Sequence, residues 1–472
     1  MLPFRLLYSP KPTASMFKDM LPYLERWFDE ARIHDYAIPP EYAGDKALTE
    51  NDLEAVFAAF MKRMQAGYPF HQPDYAGQML KPPHPVAWLA YSMAMSVNTN
   101  NHALDGGPPT SQMEKEVVAE LCTMMGYEPQ SSLGHLSSGG TVANLEALWV
   151  AGCLHPEKKV LYSDAAHYTH GRMCGVLGLD SKKVSLDIST PGKKQGLADE
   201  LKEAGTLVVT LGTTGTGLVE PLHELLPLCR EYGVRIHADA AYGGFFKLLE
   251  DRKLIDPRPW KQLGEADSIV IDPHKHGLQP YGCGAVLFKD AAVGRFYKHD
   301  SPYTYFSSEE LHLGEITLEC SRAGAAAAAL WFTTRCFGLS PGSPFSDMLA
   351  DCIRAGRRFA DAAAASGLFV LWSPPETDIV CYFPEAKSAA EISAASKALF
   401  ADLMQQGRES LFVSLFNVSA AGFRARFPGI EVQDDTPVTL LRSVFMKPAH
   451  LAFVPEMMAR LETAHKRCLS DG

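Results

Sequence analysis

The 472-residue sequence has no long apolar run, no clustered cysteines and no excess of basic charge. Its apolar stretches fall well short of the ~20 residues that cross a bilayer, and its opening lacks the order of a secretory signal. Its ten cysteines are scattered without a CxxC pair, which signals neither a zinc cluster nor a disulfide framework. A net charge of -11 argues against nucleic-acid binding. We therefore expect a cytoplasmic globular protein without a membrane or nucleic-acid partner.

Three regions differ in their pattern. Residues 1–85 are rich in helix-like stretches, broken by IPPEYAG and KPPHP, and predict an N-terminal helical segment. Residues 86–340 alternate helical stretches with short β-rich runs, including KKVLYS, TLVVTLG, VRIHAD, SIVID and GAVLF. This alternation is typical of a large α/β domain with a mostly parallel sheet. Residues 341–472 combine an amphipathic helix with mixed strands and predict a smaller C-terminal α+β domain.

Ligands of open α/β sheets gather at the carboxyl ends of the strands, so the residues that follow each run carry the most information. The stretch SSGGT places Ser138, Gly139, Gly140 and Thr141 directly before a good helix former. Free backbone N–H groups at such a glycine-rich helix start suit a phosphate. An ordinary glycine turn with Thr141 as the helix cap is the alternative.

Three charged or titratable residues also follow strand-like runs. Asp239 ends VRIHAD, Lys275 follows SIVID, and His167 follows KKVLYS in an HxxH spacing with His170. Buried charges need partners, although loop capping would also explain Asp239. The two histidines are only faintly metal-like because no further ligand cluster accompanies them, and we predict no metal site.

Together these residues fit one cofactor, pyridoxal 5′-phosphate. That cofactor needs a lysine for a Schiff base, an acid for its ring nitrogen, a phosphate cup and flat or small groups against the ring faces. In this sequence Lys275, Asp239, the segment 138–141, and His167 with Ala241 supply these groups in turn.

The order of SSGGTVAN, SDAAH, TLGTTGTG, HADAAYGG and DPHK resembles that of the fold type I, group II pyridoxal-phosphate decarboxylases, which act on glutamate, histidine and aromatic amino acids. The resemblance covers roughly residues 70–335. It implies that Lys275 forms the Schiff base, that Asp239 keeps the ring nitrogen protonated and that His167 stacks on the ring. It also implies a homodimer with active sites at the subunit interface.

The same resemblance assigns further cofactor contacts. It implies that Ala241 packs against the second face of the ring and that Thr214 lies near it. It also implies that Gly140, Thr141 and His274 bind the phosphate.

The sequence differs in two places from the decarboxylases that act on aromatic amino acids, and both differences indicate another branch of the family. His276 follows the lysine where those enzymes usually have tryptophan, and the segment before the RAGA motif is shorter than their catalytic loop. Both features look more like archaeal tyrosine/aspartate decarboxylases and sphingosine-phosphate lyases. Tyr303 and Tyr305 are candidate proton donors, with loop packing as the alternative.

The resemblance to the lyases extends to possible substrate contacts. The stretch NTNNHALDGGPP resembles their sequences, so Asn101 and His102 are candidate substrate contacts. Arg322 of the RAGA motif is a third candidate.

We predict decarboxylation of an L-amino acid to its amine. A carbon–carbon lyase for a phosphorylated amino alcohol is the main alternative, and Arg322 is its only obvious extra phosphate ligand. A non-catalytic relative is disfavoured because scaffolding alone would not require both Lys275 and Asp239. A dehydrogenase is disfavoured because the phosphate loop lacks GxGxxG spacing.

Overall fold

The computed structural model of the chain describes residues 16–31, 49–298 and 312–470. The α-helices are α1 Met16–Ala31, α2 Glu50–Gln65, α3 Pro85–Val97, α4 Pro108–Met125, α5 Gly140–Leu154, α6 Thr169–Leu177, α7 Pro191–Leu201, α8 Leu222–Glu231, α9 Arg258–Lys261, α10 Gly324–Phe337, α11 Pro344–Ala365, α12 Ala389–Met404, α13 Ala420–Arg426 and α14 His450–Ser470. The strands are β1 Leu133–Ser137, β2 Lys159–Tyr162, β3 Ser181–Lys183, β4 Ala204–Thr210, β5 Arg235–Asp239, β6 Ser268–Ile271, β7 Gly284–Phe288, β8 Phe369–Leu371, β9 Ile379–Pro384, β10 Ser414–Val418 and β11 Val438–Val444.

A seven-stranded sheet in the order β1-β7-β6-β5-β4-β2-β3 forms the larger part of the fold. The strands from β6 through to β3 run parallel to their neighbours, whereas β7 is antiparallel to both β6 and β1. Every residue of β4 and of β6 is buried, as is typical of parallel strands that are covered on both faces. The predicted α/β domain with a mostly parallel sheet is confirmed.

The predicted β-rich runs coincide with strands β2, β4, β5, β6 and β7. Strands β1 and β3 were not predicted from the sequence. Both are edge strands, which pair on one side only, and β3 is the wholly polar segment SKK. An edge strand needs fewer apolar residues than a central one, so it leaves a weaker pattern in the sequence.

The C-terminal region contains a four-stranded antiparallel sheet in the order β10-β11-β9-β8, with helices packed against it. Its core is aromatic: the ring of Phe359 on α11 lies 5.1 Å from that of Tyr382 and 5.0 Å from that of Phe445. This is the smaller α+β domain that the sequence predicts. Strand β10 was not predicted because most of its residues are only half-buried.

The segment that joins α2 to α3 consists mostly of turns and bends, and it contacts the C-terminal sheet. The backbone N–H of Ala76 donates to the carbonyl of Phe412, and that of Val444 donates to the carbonyl of Ala76, both at 2.8 Å. The described part of residues 1–85 therefore contains a non-helical segment besides α1 and α2. The boundaries at residues 85 and 340 stay predictions. None of the described helices has the length and apolar character that crossing a membrane requires.

Candidate active site

The carboxyl ends of the parallel strands β4, β5 and β6 open into a cavity of about 330 Å³. Its location follows from the fold, because parallel strands bring the residues after their carboxyl ends to one edge of the sheet. The cavity is lined by Ser138, Gly139, Gly140, Thr141, Val142, Asn144, His167, Thr169, Thr210, Gly212, Thr214, Asp239, Ala241, Tyr242, Asp272, His274 and Lys275. Every cofactor-binding residue proposed from the sequence is among them.

The amine of Lys275 contacts a carboxylate inside this cavity. Its Nζ lies 3.0 Å from Oδ2 of Asp272, which directly follows β6, and the Asp272 side chain is only 3 % exposed. Burial lowers the pKa of Lys275, but the charges of Asp272 and then Asp239 outweigh that effect and raise it. The main partner of this largely buried lysine is therefore Asp272.

Asp239, at the end of β5, is held by two donors. The backbone N–H of Ala241 donates to its Oδ1 at 3.1 Å, and Nε2 of His170 lies 2.8 Å from its Oδ2. Burial alone would raise the pKa of Asp239, but the hydrogen bond from His170 and the nearby positive charges lower it well below its usual range. Asp239 is therefore an anion at neutral pH, in a position where a cationic ring nitrogen would find a partner.

The segment before α5 forms a tight cup. Gly139 has φ of +152°, a backbone conformation that favours glycine, and a Cβ at Gly140 would lie 2.6 Å from Oδ2 of Asp272. The first N–H groups of a helix, here those of Gly140 and Thr141, have no intrahelical acceptor. Together they provide a concave, donor-rich surface of the kind that binds phosphate.

His167 and Ala241 both line the cavity, as stacking against two faces of a ring would require. The backbone N–H of Thr169 donates to Nδ1 of His167 at 3.3 Å, which fixes the imidazole ring. Burial lowers the pKa of His167, so the ring is neutral at neutral pH. A neutral, fixed imidazole is suited to stacking on a cofactor ring.

The proposed substrate residues lie outside this cavity. Asn101 is fully buried, where its side-chain amide donates to Glu114 at 2.7 Å and accepts from Thr110 at 2.6 Å. Nδ1 of His102 lies 3.1 Å from the carbonyl oxygen of Cys320. Arg322 is ion-paired with Glu114 at 2.6 Å and lines a separate cavity of about 240 Å³. Their roles toward a substrate stay predictions.

The tyrosines proposed as proton donors, Tyr303 and Tyr305, lie outside the described residues. The structure therefore does not show where their hydroxyl groups lie. Their role in proton transfer stays a prediction from the sequence.

Three further residues of the site were not assigned a role from the sequence. Asp272 was visible as an acid three residues before the lysine in DPHK. In the sequence His170 is distinguished only by its HxxH spacing with His167, whereas in the structure it is the partner of Asp239. Arg442, a single cation in the apolar run TLLRSVF of β11, lines a neighbouring cavity that shares His167 and Thr214 with the first, and nothing in the sequence pattern indicates this position.

The residues present fit pyridoxal 5′-phosphate. One cavity combines an amine, a buried anionic carboxylate, a glycine cup at a helix start, and an imidazole with a methyl group for the ring faces. Two buried polar atoms of its wall, Oδ1 of Asp272 and Nδ1 of His274, have no hydrogen-bond partner among the described residues. Fold and site together are those of a pyridoxal-phosphate-dependent enzyme of fold type I.

Comparison with known families agrees with this class. Residues 43–384 match the model of the pyridoxal-dependent decarboxylase conserved domain, which covers more than half of the chain, so the chain belongs to this family. It is a pyridoxal-phosphate-dependent amino-acid decarboxylase, and the carbon–carbon lyase alternative is not favoured.

Individual relatives are similar to this chain in sequence over most of their own length. A probable L-tyrosine/L-aspartate decarboxylase of Methanoculleus marisnigri is 30% identical over 67% of this chain and 82% of its own length. An L-tyrosine decarboxylase of Enterococcus faecium is 27% identical over 67% of this chain and 68% of its own length.

Solved structures share the fold at lower identity. A crystal structure of mouse CSAD has a TM-score of 0.73 at 18% identity and covers 96% of this chain and 99% of its own. The structure of Oryza sativa TDC with PLP and tryptamine has a TM-score of 0.71 at 16% identity, with coverage of 97% and 99%.

Proposed function

We propose that this chain converts an L-amino acid to its amine and carbon dioxide, with the cofactor bound covalently through Lys275. The observation that carries the proposal is the presence in one cavity of the Lys275 amine, the Asp239 carboxylate and the glycine cup before α5. Each group has an ordinary structural explanation by itself, but their convergence at the strand ends matches the needs of this cofactor.

The side chains divide the work of holding the cofactor. Asp239 would keep the ring nitrogen protonated, and His167 and Ala241, which both line the cavity, would hold the two faces of the ring. The cup of residues 138–141, with His274, binds the phosphate at the start of α5. Thr214 lies in the wall beside His167.

When bound, pyridoxal phosphate supplies an electron-withdrawing ring that accepts the electron pair left on the α-carbon as carbon dioxide departs. The protein must then return a proton to that carbon. Lys275 and His167 line the cavity and are candidates for this step, beside Tyr303 and Tyr305.

Incubation of the protein and pyridoxal phosphate with pooled L-amino acids is expected to yield one amine that is lighter than its parent by carbon dioxide. Mass spectrometry identifies the amine and so the substrate. Lys275→Ala is expected to abolish this product because it removes the amine that bonds the cofactor. Formation of the same amine by Lys275→Ala at the wild-type rate would refute the proposal.

Arg442 is the residue we propose to bind the substrate's α-carboxylate. Its guanidinium donates to the carbonyls of Thr214 at 2.7 Å, Gly215 at 2.9 Å and Gly77 at 3.1 Å, and to Ser414 Oγ at 3.3 Å. All these acceptors are neutral, and no carboxylate lies within ion-pair distance of Arg442 among the described residues.

The charge of Arg442 is therefore available to an anion. A buried cation normally requires a counter-charge, and Arg442 is only 7 % exposed. It lines a second cavity, of about 470 Å³, which shares His167 and Thr214 with the first. A carboxylate bound to Arg442 would neutralise the charge and orient the substrate beside the ring.

The side chains that line this second cavity favour a substrate with an aromatic side chain. Tyr168 and Phe416 are in its wall, as is Arg442. Ring surfaces of this kind favour an aromatic side chain over a charged one. We therefore propose L-tyrosine as the first substrate to test, with L-aspartate as the rival that the named relatives suggest.

Arg442→Gln is expected to raise the KM for the amino acid by about tenfold to a hundredfold with a smaller effect on kcat, because it removes a charge-assisted contact to the carboxylate. Steady-state kinetics give both constants. The product amine, which lacks the carboxylate, serves as the control, and its inhibition constant should not change. An equal loss of affinity for the amine would mean that Arg442 supports the structure of the pocket instead.

We propose that the chain is a homodimer in which α2 forms part of the interface. This helix has no buried residue, and Leu53, Val56, Phe57, Phe60 and Met64 are each more than half exposed. Their spacing of three and four residues puts them on one face of the helix. An apolar face of this kind indicates a partner, and a second copy is the partner that the family resemblance implies.

Light scattering after size exclusion is expected to give twice the mass of the chain. Replacement of Phe57 and Phe60 together by Asp should shift the protein to the monomer because it puts two charges into the apolar face. Leu469→Asp, at a 70 % exposed position on α14, is the matched control and should leave the dimer intact. A monomeric wild-type protein across the concentration range would refute the dimer.

A cytoplasmic location is also part of the proposal. None of the ten cysteines, all of which lie in the described part of the chain, forms a disulfide, and six of them are buried. Cysteines that do not form disulfides are typical of reducing compartments.

A further inference from the structure

His276, the residue that follows Lys275, is enclosed by side chains from other elements. Its imidazole is fully buried, and its ring lies 4.7 Å from the ring of Tyr242 and 4.7 Å from that of Phe246. Its Nε2 lies 3.1 Å from Oδ2 of Asp378, whose side chain is also fully buried. The histidine beside the lysine therefore has a carboxylate partner that is distant in the sequence.

Asp378 directly precedes β9, and the two residues before it connect the four-stranded sheet to the larger one. Oε2 of Glu376 accepts from the backbone N–H of Val219 at 2.7 Å, and the hydroxyl of Thr377 donates to the carbonyl of Gly217 at 3.1 Å. Both acceptors and donors of the larger sheet lie in the segment that follows β4. These two contacts fix where the start of β9, and with it Asp378, lies against the larger sheet.

The carboxylate of Asp378 has a partner on each oxygen. The hydroxyl of Tyr242 donates to Oδ1 at 2.6 Å, which orients Oδ2 toward His276. Burial alone would raise the pKa of Asp378, but its contacts with His276 and Tyr242 lower it, so the group is an anion at neutral pH. Burial lowers the pKa of His276, so the imidazole is neutral there. A buried anion is costly without partners, so the three side chains hold one another in place.

The turn that carries Lys275 depends on this imidazole for its position. Among the described residues, the backbone groups of Lys275, His276 and Gly277 hydrogen-bond only within the segment 272–279. The side chain of Lys275 contacts Asp272, which belongs to the same segment. The side chain of His276 is therefore the polar anchor that connects these three residues to the rest of the protein.

We propose that Asp378 is a positioning residue: through His276 it holds the turn after β6 so that the amine of Lys275 reaches the cofactor. The inference rests on the proposed role of Lys275 as the cofactor lysine. It gives the four-stranded sheet a part in the site, because the residue before β9 sets the position of the amine without contact to the cofactor. It also explains why a histidine follows the lysine here, since a buried carboxylate at position 378 requires a polar partner.

Two cofactor forms separate the position of the amine from the shape of the cavity. Pyridoxal phosphate carries an aldehyde, which condenses with the Lys275 amine and releases one water. Pyridoxamine phosphate carries an amine in place of the aldehyde, so it occupies the ring and phosphate sites without that bond. A displaced lysine therefore slows bonding to the first and leaves the affinity for the second unchanged.

Asp378→Ala is expected to slow the bonding of Lys275 to saturating pyridoxal phosphate by about tenfold to a hundredfold, because misplacement of a reacting group by about 1 Å costs up to that factor. Its dissociation constant for pyridoxamine phosphate should not change. The rate is measured in the full chain after removal of the cofactor, by borohydride reduction at successive times and peptide mapping. Equal rates in the wild-type protein and the variant would overturn the inference, as would an equal loss of affinity for pyridoxamine phosphate.

The route through His276 is tested by combining two substitutions. His276→Ala should slow the bonding at least as much as Asp378→Ala does. Adding Asp378→Ala to it should cause no further loss, because residues that act as one unit are not additive. Losses that multiply in the double variant would overturn the route through His276.

Glu146→Ala is the matched control. The Glu146 carboxylate is fully buried 2.9 Å from Nε2 of His135, which makes a pair of the same kind, and neither residue lines the cavity. This variant should lower the midpoint of thermal unfolding and leave the bonding rate of Lys275 unchanged. A slowing equal to that in Asp378→Ala would overturn the inference, because the effect would then follow from lost stability.

Tyr242→Phe is the milder variant, because it removes only the hydroxyl that orients the Asp378 carboxylate. It should slow the bonding by about twofold to tenfold, the factor that corresponds to one ordinary hydrogen bond. If Asp378→Ala does not fold, an unchanged rate in Tyr242→Phe overturns the inference by itself.

The peptide map also separates this inference from the proposed function. An adduct at Lys275 in both proteins, formed at equal rates, would overturn the role of Asp378 alone. An adduct at a different lysine in the wild-type protein would overturn the assignment of Lys275, and the inference with it.

Discussion

The ammonium group of Lys275, largely removed from water, requires negative charge close to it, and the arrangement of the site follows from that requirement. Strands β5 and β6 supply this negative charge, because Asp239 at the end of β5 and Asp272 directly after β6 both line the cavity. Each acid has further support: Asp239 is bonded to His170 and the N–H of Ala241, and Asp272 is fixed by its own turn. The charges of the cavity are thus set before any cofactor binds.

The two carboxylates have different surroundings, and this separates their functions. Asp239 has donors on both oxygens, so its negative charge is stabilised independently of Lys275. Asp272 has the amine on one oxygen and no partner among the described residues on the other. Asp239 is therefore suited to be a permanent anion, whereas the carboxylate of Asp272 is oriented by the amine that it contacts.

The sequence predicts the central strands and residues that line the cavity, because both depend on local patterns. A buried strand is a short apolar run, and its functional residues directly follow it, as with Asp239 after β5. Residues that reach the site through tertiary contacts leave no such local pattern: Arg442 comes from the smaller domain and His170 from α6. The polar edge strand β3 escaped prediction for the related reason that its segment SKK has no apolar period.

The most direct test of the account is to find which lysine carries the cofactor in the wild-type protein, by borohydride reduction and peptide mapping. Lys447 is the informative rival, because burial lowers its pKa to about 7 and leaves much of its amine neutral at neutral pH. The account predicts the adduct at Lys275, where the cavity supplies an acid for the ring nitrogen and a cup for the phosphate. An adduct at Lys447, or at any lysine outside this cavity, would contradict it.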